Sequence, residues 1–262
     1  MAGSDDLVLQ GEWPEIVRQI RARTPARVLM GRAGAAYRTA TQLELREAHA
    51  AARDAVRAEL NLEQQFRPEF LKQWELFEVS TQASSKEEYL QHPNLGRAFA
   101  DASRVELQRR CRPGADLQIA IGDGLSISAV VAQVPALLPA LAAGAQARGW
   151  RLGLPFVIRH CRVGILNQIG ELLTPQVAVL LIGERPGLAT AESLSAYMAY
   201  RPQPGHTDAD RNLISNIHAR GISPADAAVR ILDLAAGMMR NRCSGTRLEG
   251  THPDHVGKGT LN

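Results

Sequence analysis

The sequence predicts an α/β fold in which helices flank a parallel β-sheet, preceded by a mostly helical N-terminal region. Three short apolar runs, at residues 117–122, 152–163 and 177–182, carry this prediction. Short apolar runs closed by turn residues are typical of strands that are buried on both faces of a parallel sheet. Helix-forming segments separate the runs, and strands alternating with helices indicate right-handed βαβ crossovers.

The N-terminal region is predicted to contain two helices and one strand. Residues 13–24 present three aliphatic side chains on one face, and residues 38–60 are helix-forming and rich in alanine. The apolar stripe of the second helix is narrow, so we expect this helix to lie on the surface or to pack on another chain. Residues 74–80 are predicted to form an edge strand.

The remainder of the chain is predicted to build the sheet and its helices. The last helix has Ser223 as its N-cap and Pro224 in its first turn, which is the usual start of a helix. The predicted helix at residues 127–147 contains two prolines, near which we expect a kink. The predicted elements are helix 96–111, strand 117–122, helix 127–147, strand 152–163, helix 164–173, strand 177–182, helix 208–221 and helix 223–242.

These elements divide the chain into three parts. Residues 1–95 are assigned to the mostly helical N-terminal region, and residues 96–245 to a Rossmann-like domain. Residues 246–262 are polar and rich in glycine, so they are expected to form a flexible tail.

Composition and charge argue against several classes of protein. The net charge is only +3, and no dense block of Lys and Arg stands beside aromatic residues, so no nucleic-acid partner is expected. The three cysteines are widely spaced and lack zinc-ligand spacing, which is typical of a reducing compartment. No apolar stretch of membrane-spanning length and no signal peptide are recognised, so we expect a cytoplasmic protein without a membrane partner.

Polar residues follow the three predicted strands, at residues 123–126, 160–163 and 184–187. Open α/β sheets bind ligands beyond the carboxyl ends of their strands, so these residues predict a site at one sheet edge. Each segment taken singly is also compatible with a solvated turn. The dinucleotide fingerprint is incomplete, because Ile127 stands where its third glycine belongs.

His218 is the centre of a near-match to a cobalt-binding motif. The segment Asn-Ile-His-Ala-Arg-Gly at residues 216–221 has the outline of Asp-x-His-x-x-Gly, by which some corrinoid enzymes ligate cobalt. Here Asn216 replaces the aspartate, and the histidine is predicted to end a helix late in the chain. We therefore predict no metal ligand in this segment.

Several stretches together resemble the small subunit of ethanolamine ammonia-lyase. They are RAFADASRVELQRRC, IGDGLS, GLPFVIRHCRV, NQIGELL, VAVLLIGERPGLATAESLSAY, ADRNLISNIHARG and AAGMMRNRCSG. The resemblance covers roughly residues 25–245.

The resemblance implies an adenosylcobalamin-dependent lyase that converts ethanolamine to acetaldehyde and ammonia, and thus a role in ethanolamine degradation. In this family the large subunit holds the substrate and the catalytic residues. The small subunit covers the other face of the cobalamin, so the implied assembly is a hetero-oligomer. The cofactor supplies its own base to cobalt, so neither a protein metal ligand nor a catalytic residue is implied for this chain. Many members reside in a bacterial microcompartment.

The cobalamin-contacting positions of the family carry over to Val163, Glu184 and Leu213. Glu184 suits the amide N–H donors on the rim of the corrin ring. Leu213 stands where some relatives have cysteine, which indicates a contact through the backbone or the apolar surface. Arg162 is a further candidate for an amide side chain of the cofactor. Independently of the resemblance, Ser126 is expected at a helix N-terminus suited to a phosphate.

The residues considered without the resemblance leave a second function open. They are compatible with a non-enzymatic Rossmann-like module that binds a nucleotide or a partner protein. Tight binding of a plain nucleotide by the isolated chain would favour this alternative.

Overall fold

The computed structural model describes residues 14–24, 28–30, 32–187 and 189–249. The helices in these ranges are α1 Glu15–Arg23, α2 Thr39–Arg57, α3 Leu62–Gln65, α4 Pro68–Gln73, α5 Lys86–Gln91, α6 Asp101–Arg110, α7 Ile127–Ala147, α8 Leu166–Leu173, α9 Pro224–Asn241 and α10 Thr246–Glu249. The strands are β1 Arg32–Ala33, β2 Ala36–Tyr37, β3 Glu78–Ser80, β4 Leu117–Gly122, β5 Phe156–Arg159, β6 Val177–Gly183, β7 Leu194–Tyr200 and β8 Asn212–Ile217. Short 3-10 turns occupy Pro93–Arg97, Val163–Ile165 and Asp208–Asp210.

A six-stranded mixed sheet forms the centre of the molecule, with the strand order β3-β5-β4-β6-β7-β8. The three pairs from β3 to β6 are parallel, and the pairs β6-β7 and β7-β8 are antiparallel. The predicted α/β class is confirmed, but the prediction of a parallel sheet holds only for the first four strands. The described residues between β6 and β7, 184–187 and 189–193, form no helix, and so short a connection places the two strands antiparallel.

Strand β6 is buried along its whole length. All seven of its residues are buried, and it pairs with β4 on one side and β7 on the other. Alternate side chains enter two separate apolar cores: Val177 and Val179 lie in one, and Ala178 and Leu180 in the other. A strand that is covered on both faces has no polar position, which explains its continuous apolar sequence.

Helix α7 covers one face of this sheet. It is long and apolar enough to cross a membrane, so the expectation that no stretch reaches such a length was wrong. Nine of its residues are buried within the protein, and the apolar core contains side chains from this helix, the sheet and α9. The helix runs from Ile127 to Ala147 through Pro135 and Pro139 as one element.

Helix α2 lies on the surface of this chain, which agrees with the prediction that it lies on the surface or packs on another chain. Helix α2 buries only Thr41 among its 19 residues. Strand β3, predicted as an edge strand, occupies the edge of the sheet beside β5. This strand precedes residue 96, where we place the start of the second domain, and that boundary stays a prediction.

Helix α6 is shorter than the predicted helix 96–111. It spans Asp101–Arg110; Leu107 is buried, but Val105 is 64% exposed. Phe99 is also buried but precedes the helix. The predicted tail begins with α10, and residues 250–262 lie outside the described part of the chain.

Two predicted elements near the sheet edge were wrong. Residues 208–221 were predicted as a helix, but they form a 3-10 turn followed by strand β8. The strand predicted at residues 152–163 is confined to Phe156–Arg159. Val163 therefore does not end a strand; it begins the 3-10 turn that leads into α8.

Candidate functional site

A pocket of about 340 Å³ opens at the carboxyl ends of β4, β5 and β6. Its lining includes all four residues predicted to contact a cofactor, namely Arg162, Val163, Glu184 and Leu213. The other lining residues are Tyr89, Gly124, Leu125, Cys161, Ile182, Gly183, Arg185, Ser195, Tyr197 and Ser215. The site thus lies at the sheet edge at which ligands bind in open α/β folds.

Glu184 connects the end of β6 to the two antiparallel strands. Its carboxylate accepts hydrogen bonds from Ser193 Oγ at 2.8 Å, from Ser195 Oγ at 2.5 Å and from the Asn216 backbone N–H at 3.0 Å. Its partners are therefore these three groups rather than Arg185. A carboxylate has about four lone-pair positions, so one acceptor position remains after these three bonds.

Leu213 lies on β8, the strand that was predicted as part of a helix. Its side chain is 46% exposed, and in the strand register it faces Tyr197 of β7. Ser215 lies two residues further along β8, on the same face as Leu213, and also lines the pocket. The antiparallel extension of the sheet therefore presents a partly uncovered face beside the strand ends.

Tyr197 was not predicted to be a site residue. It is half-buried, and its pKa is raised, first by burial and then by the carboxylates of Asp208 and Glu184. Five of the seven residues of its strand, Leu194–Tyr200, are buried without a two-residue alternation, so no periodic pattern in the sequence identified this strand.

Asp123 holds the segment that carries Arg162 and Val163. Its carboxylate accepts hydrogen bonds from the backbone N–H groups of His160 at 2.9 Å and of Cys161 at 2.8 Å. The Lys86 ammonium lies 3.7 Å from the same carboxylate, and both side chains are buried. A buried carboxylate requires such partners. Asp123, one of the polar residues predicted to follow the strand at 117–122, therefore fixes the backbone next to Arg162 and Val163.

Tyr89 completes this support from helix α5. Its hydroxyl donates a hydrogen bond to the carbonyl oxygen of Cys161 at 2.8 Å, and the Arg162 guanidinium lies 4.5 Å from the centre of its ring. Burial raises the pKa of Tyr89, so it remains a neutral donor. Lys86 and Tyr89 belong to a segment without a recognisable motif, and the sequence provided no signal for their role.

Ser126 lies at the N-terminus of α7, as predicted, but it does not line the pocket, and the phosphate expected there stays a prediction. Its side chain is buried; it accepts a hydrogen bond from the backbone N–H of Ala129 at 3.3 Å and donates one to the carbonyl oxygen of Ala191. Gly124, two residues earlier, has φ +56°, and a Cβ atom there would lie 2.3 Å from the carbonyl oxygen of Gly183. The turn after β4 is therefore packed tightly against the end of β6.

His218 is engaged within the chain and lies just beyond β8 rather than at the end of a helix. Its Nε2 atom lies 2.7 Å from Asn216 Oδ1, and its Nδ1 atom accepts a hydrogen bond from the Arg220 backbone N–H at 3.2 Å. Within the described ranges, no group of three or more His, Cys, Asp or Glu side chains is arranged to hold a metal ion.

Comparison with known proteins gives a consistent result. Residues 14–249 match the family model of the ethanolamine ammonia-lyase light chain. The chain is 39% identical over 235 residues to the ethanolamine ammonia-lyase small subunits of Clostridium perfringens and Clostridioides difficile, covering 90% of this chain and 78% of each relative. It is 38% identical over 231 residues to that of Listeria innocua, covering 88% of this chain and 77% of the relative.

Proposed function

Because this chain belongs to the ethanolamine ammonia-lyase light chain family, we propose that its pocket binds one face of adenosylcobalamin. The residues in contact with the cofactor are Arg162, Val163, Glu184 and Leu213. The large subunit covers the opposite face and carries the catalytic residues. The complex converts ethanolamine to acetaldehyde and ammonia.

The observation that carries this proposal is the convergence of an exposed apolar surface and one free carboxylate position in the same pocket. The corrin ring is a flat apolar disc whose rim carries amide groups. Leu213 and Val163 offer apolar surface to such a disc, and burial of apolar surface favours binding. Glu184 retains one acceptor position, which suits an amide N–H donor.

The size of the pocket supports a shared site. A volume of about 340 Å³ lies near the lower limit for a pocket that holds a drug-sized ligand, about 300 Å³. Cobalamin, with its ring, amide side chains and nucleotide tail, is much larger than such a ligand. This chain therefore covers only part of it, and the remainder requires a partner surface.

The cofactor, when bound, supplies the radical chemistry of the reaction. The contribution of this chain is to bind and to orient. Asp123 and Tyr89 hold the backbone on both sides of Cys161, so Arg162 and Val163 are presented from a rigid segment. Such preorganisation lowers the entropic cost of binding.

Two finer assignments belong to the same proposal. The four parallel strands, β3, β5, β4 and β6, with their flanking helices are the part that we describe as Rossmann-like.

We also propose that the assembled lyase resides in the cytoplasm or in a bacterial microcompartment. Microscopy of a fluorescent fusion in cells grown on ethanolamine tests the location.

Binding of adenosylcobalamin to the complex of this chain with its large subunit tests the main proposal. Spectrophotometric titration should show saturable binding by the complex, and the isolated chain should not turn over ethanolamine. A complex that binds no cobalamin would contradict the proposal. Tight binding of a plain nucleotide by the isolated chain, without cobalamin binding by the complex, would instead support the nucleotide-binding module.

A further inference from the structure

A second pocket, of about 540 Å³, adjoins the proposed cobalamin pocket. The two pockets share Arg162, Val163 and Tyr197, so they form one continuous depression. The second pocket is lined by Pro93, Arg97, Arg162, Val163, Gly164, Asn167, Tyr197, His206, Thr207, Asp208 and Arg211. We call it the arginine pocket, because it contains three arginines.

The arginine pocket has an excess of positive charge. Arg97, Arg162 and Arg211 contribute three positive charges, and Asp208 contributes the single carboxylate, which gives a formal charge of +2 with histidine neutral. Asp208 is already paired with Arg211 at 2.5 Å. No carboxylate among the described residues forms an ion pair with Arg97 or Arg162. Neither charge is therefore neutralised by a carboxylate, although the Arg162 guanidinium also lies over the Tyr89 ring.

Buried polar atoms without a hydrogen-bond partner are also concentrated here. Among the described residues, five buried side-chain N or O atoms have no hydrogen-bond partner, and three of them belong to residues that line this pocket: Arg162 Nε, Arg211 Nε and His206 Nδ1. The Arg211 side chain is only 6% exposed. Buried polar atoms without partners are uncommon in folded proteins, and each calls for an explanation such as a missing ligand.

We propose that the arginine pocket binds the phosphodiester in the nucleotide tail of the cobalamin, and this inference rests on the proposed function. The tail is covalently attached to the corrin ring, so its phosphate must lie close to the pocket that covers the ring. The arginine pocket shares a wall with that pocket. A guanidinium offers paired N–H donors in a planar fork that matches two phosphate oxygens, and its charge is permanent.

Arg97 is the residue best suited to a test. Its side chain is exposed, its stem packs on Gly164, and it has no ion pair among the described residues. Substitution Arg97→Gln keeps most of the stem and removes only the charged fork, so the fold should be retained. Arg112→Gln is a matched control, because Arg112 is exposed and precedes the amino end of β4, whereas the pockets lie at the carboxyl ends of the strands.

The test compares three corrinoids on the complex with the large subunit. Cobinamide lacks the nucleotide tail and its phosphate, cobinamide phosphate carries a phosphate without the base, and cobalamin carries the complete tail. Dissociation constants are measured by spectrophotometric titration. Loss of one charge-assisted hydrogen bond at an exposed arginine should weaken binding about tenfold. We expect this loss for Arg97→Gln with cobalamin and cobinamide phosphate, no loss with cobinamide, and no change with any ligand for Arg112→Gln.

The outcomes separate this inference from the function on which it rests. If the unmodified complex binds no corrinoid, the proposed function fails and the inference fails with it. If cobalamin and cobinamide lose affinity equally in Arg97→Gln, or if neither loses affinity, the inference alone is overturned. Inorganic phosphate serves as the last probe. If phosphate competes with cobalamin but not with cobinamide, the proposal is supported. If phosphate binds in an Arg97-dependent manner without competing with cobalamin, the proposal is overturned, because the pocket then binds an anion other than the cobalamin phosphate.

Discussion

Glu184→Gln is the substitution that tests the proposed cobalamin site most directly. The amide has nearly the same size as the carboxylate but carries no charge. Oε1 of Glu184 accepts hydrogen bonds from Ser195 and from the Asn216 backbone N–H, and the carbonyl oxygen of glutamine can take this position. The amide nitrogen then faces the hydroxyl of Ser193, which can rotate to accept a hydrogen bond.

The expected effects on folding and on binding differ in size. The three internal hydrogen bonds become neutral ones, which are weaker by about 1 kcal/mol each at most, so the variant should fold with a stability lowered by roughly 1–3 kcal/mol. The remaining acceptor position of Glu184 is on Oε2, and the amide nitrogen that replaces this oxygen in the variant offers no lone pair to a cobalamin amide N–H. A cobalamin amide bound there should lose about 1–2 kcal/mol, or roughly five- to thirtyfold in affinity.

In the assay, the assembled complex is titrated with adenosylcobalamin, and the cobalamin concentration that gives half-maximal activity is measured. The Michaelis constant for ethanolamine should remain unchanged, because the substrate is proposed to lie on the large subunit. Glu192→Gln is the matched control: Glu192 is exposed and does not line the pocket, so its half-saturation value should equal that of the unmodified complex.

One result would refute the reasoning. If Glu184→Gln assembles normally and its half-saturation concentration is unchanged, Glu184 only forms hydrogen bonds within this chain and does not bind the cofactor. Ser195→Ala separates the two roles further, since it removes one internal hydrogen bond of Glu184 and leaves its charge. A larger loss of cobalamin affinity in Ser195→Ala than in Glu184→Gln would show that geometry, not charge, determines binding.

Three further predictions concern the scaffold of the site. Deletion of residues 1–57 should leave the sheet folded by circular dichroism, because α2 buries a single residue, but should reduce co-purification with the large subunit; normal co-purification would contradict this. Lys86→Met should lower the free energy of unfolding in urea by about 3–5 kcal/mol, since Asp123 becomes an unpaired buried charge, and a loss below 1 kcal/mol would show that the pair is not required. Cys161 should resist alkylation of the native protein at pH 8, because burial raises its pKa and only the thiolate reacts; mass spectrometry should find label on the less buried Cys243 first.

The sequence predicted those elements whose cause is local or nearly so. The apolar run of β6 is continuous because both faces of the strand are buried. The start of α9 follows from its cap, in which the Ser223 hydroxyl accepts a hydrogen bond from the Asp226 backbone N–H. Helix α2 has helix-forming residues throughout and a narrow apolar stripe, and it lies on the surface. In each case the neighbouring residues contain the physical reason.

The tertiary structure alone decided the architecture of the site. Residues 212–217 contain aliphatic side chains at spacings that also suit a helix, and only pairing with β7 makes them a strand. Such pairing depends on residues far away in the chain, so local preference does not determine it. The partners of Glu184 lie 9, 11 and 32 residues further along the chain, and Lys86 reaches Asp123 across 37 positions. The sequence determined which strand ends carry polar groups, and the folded sheet determined which side chains meet there, because hydrogen bonds and ion pairs form between neighbours in space.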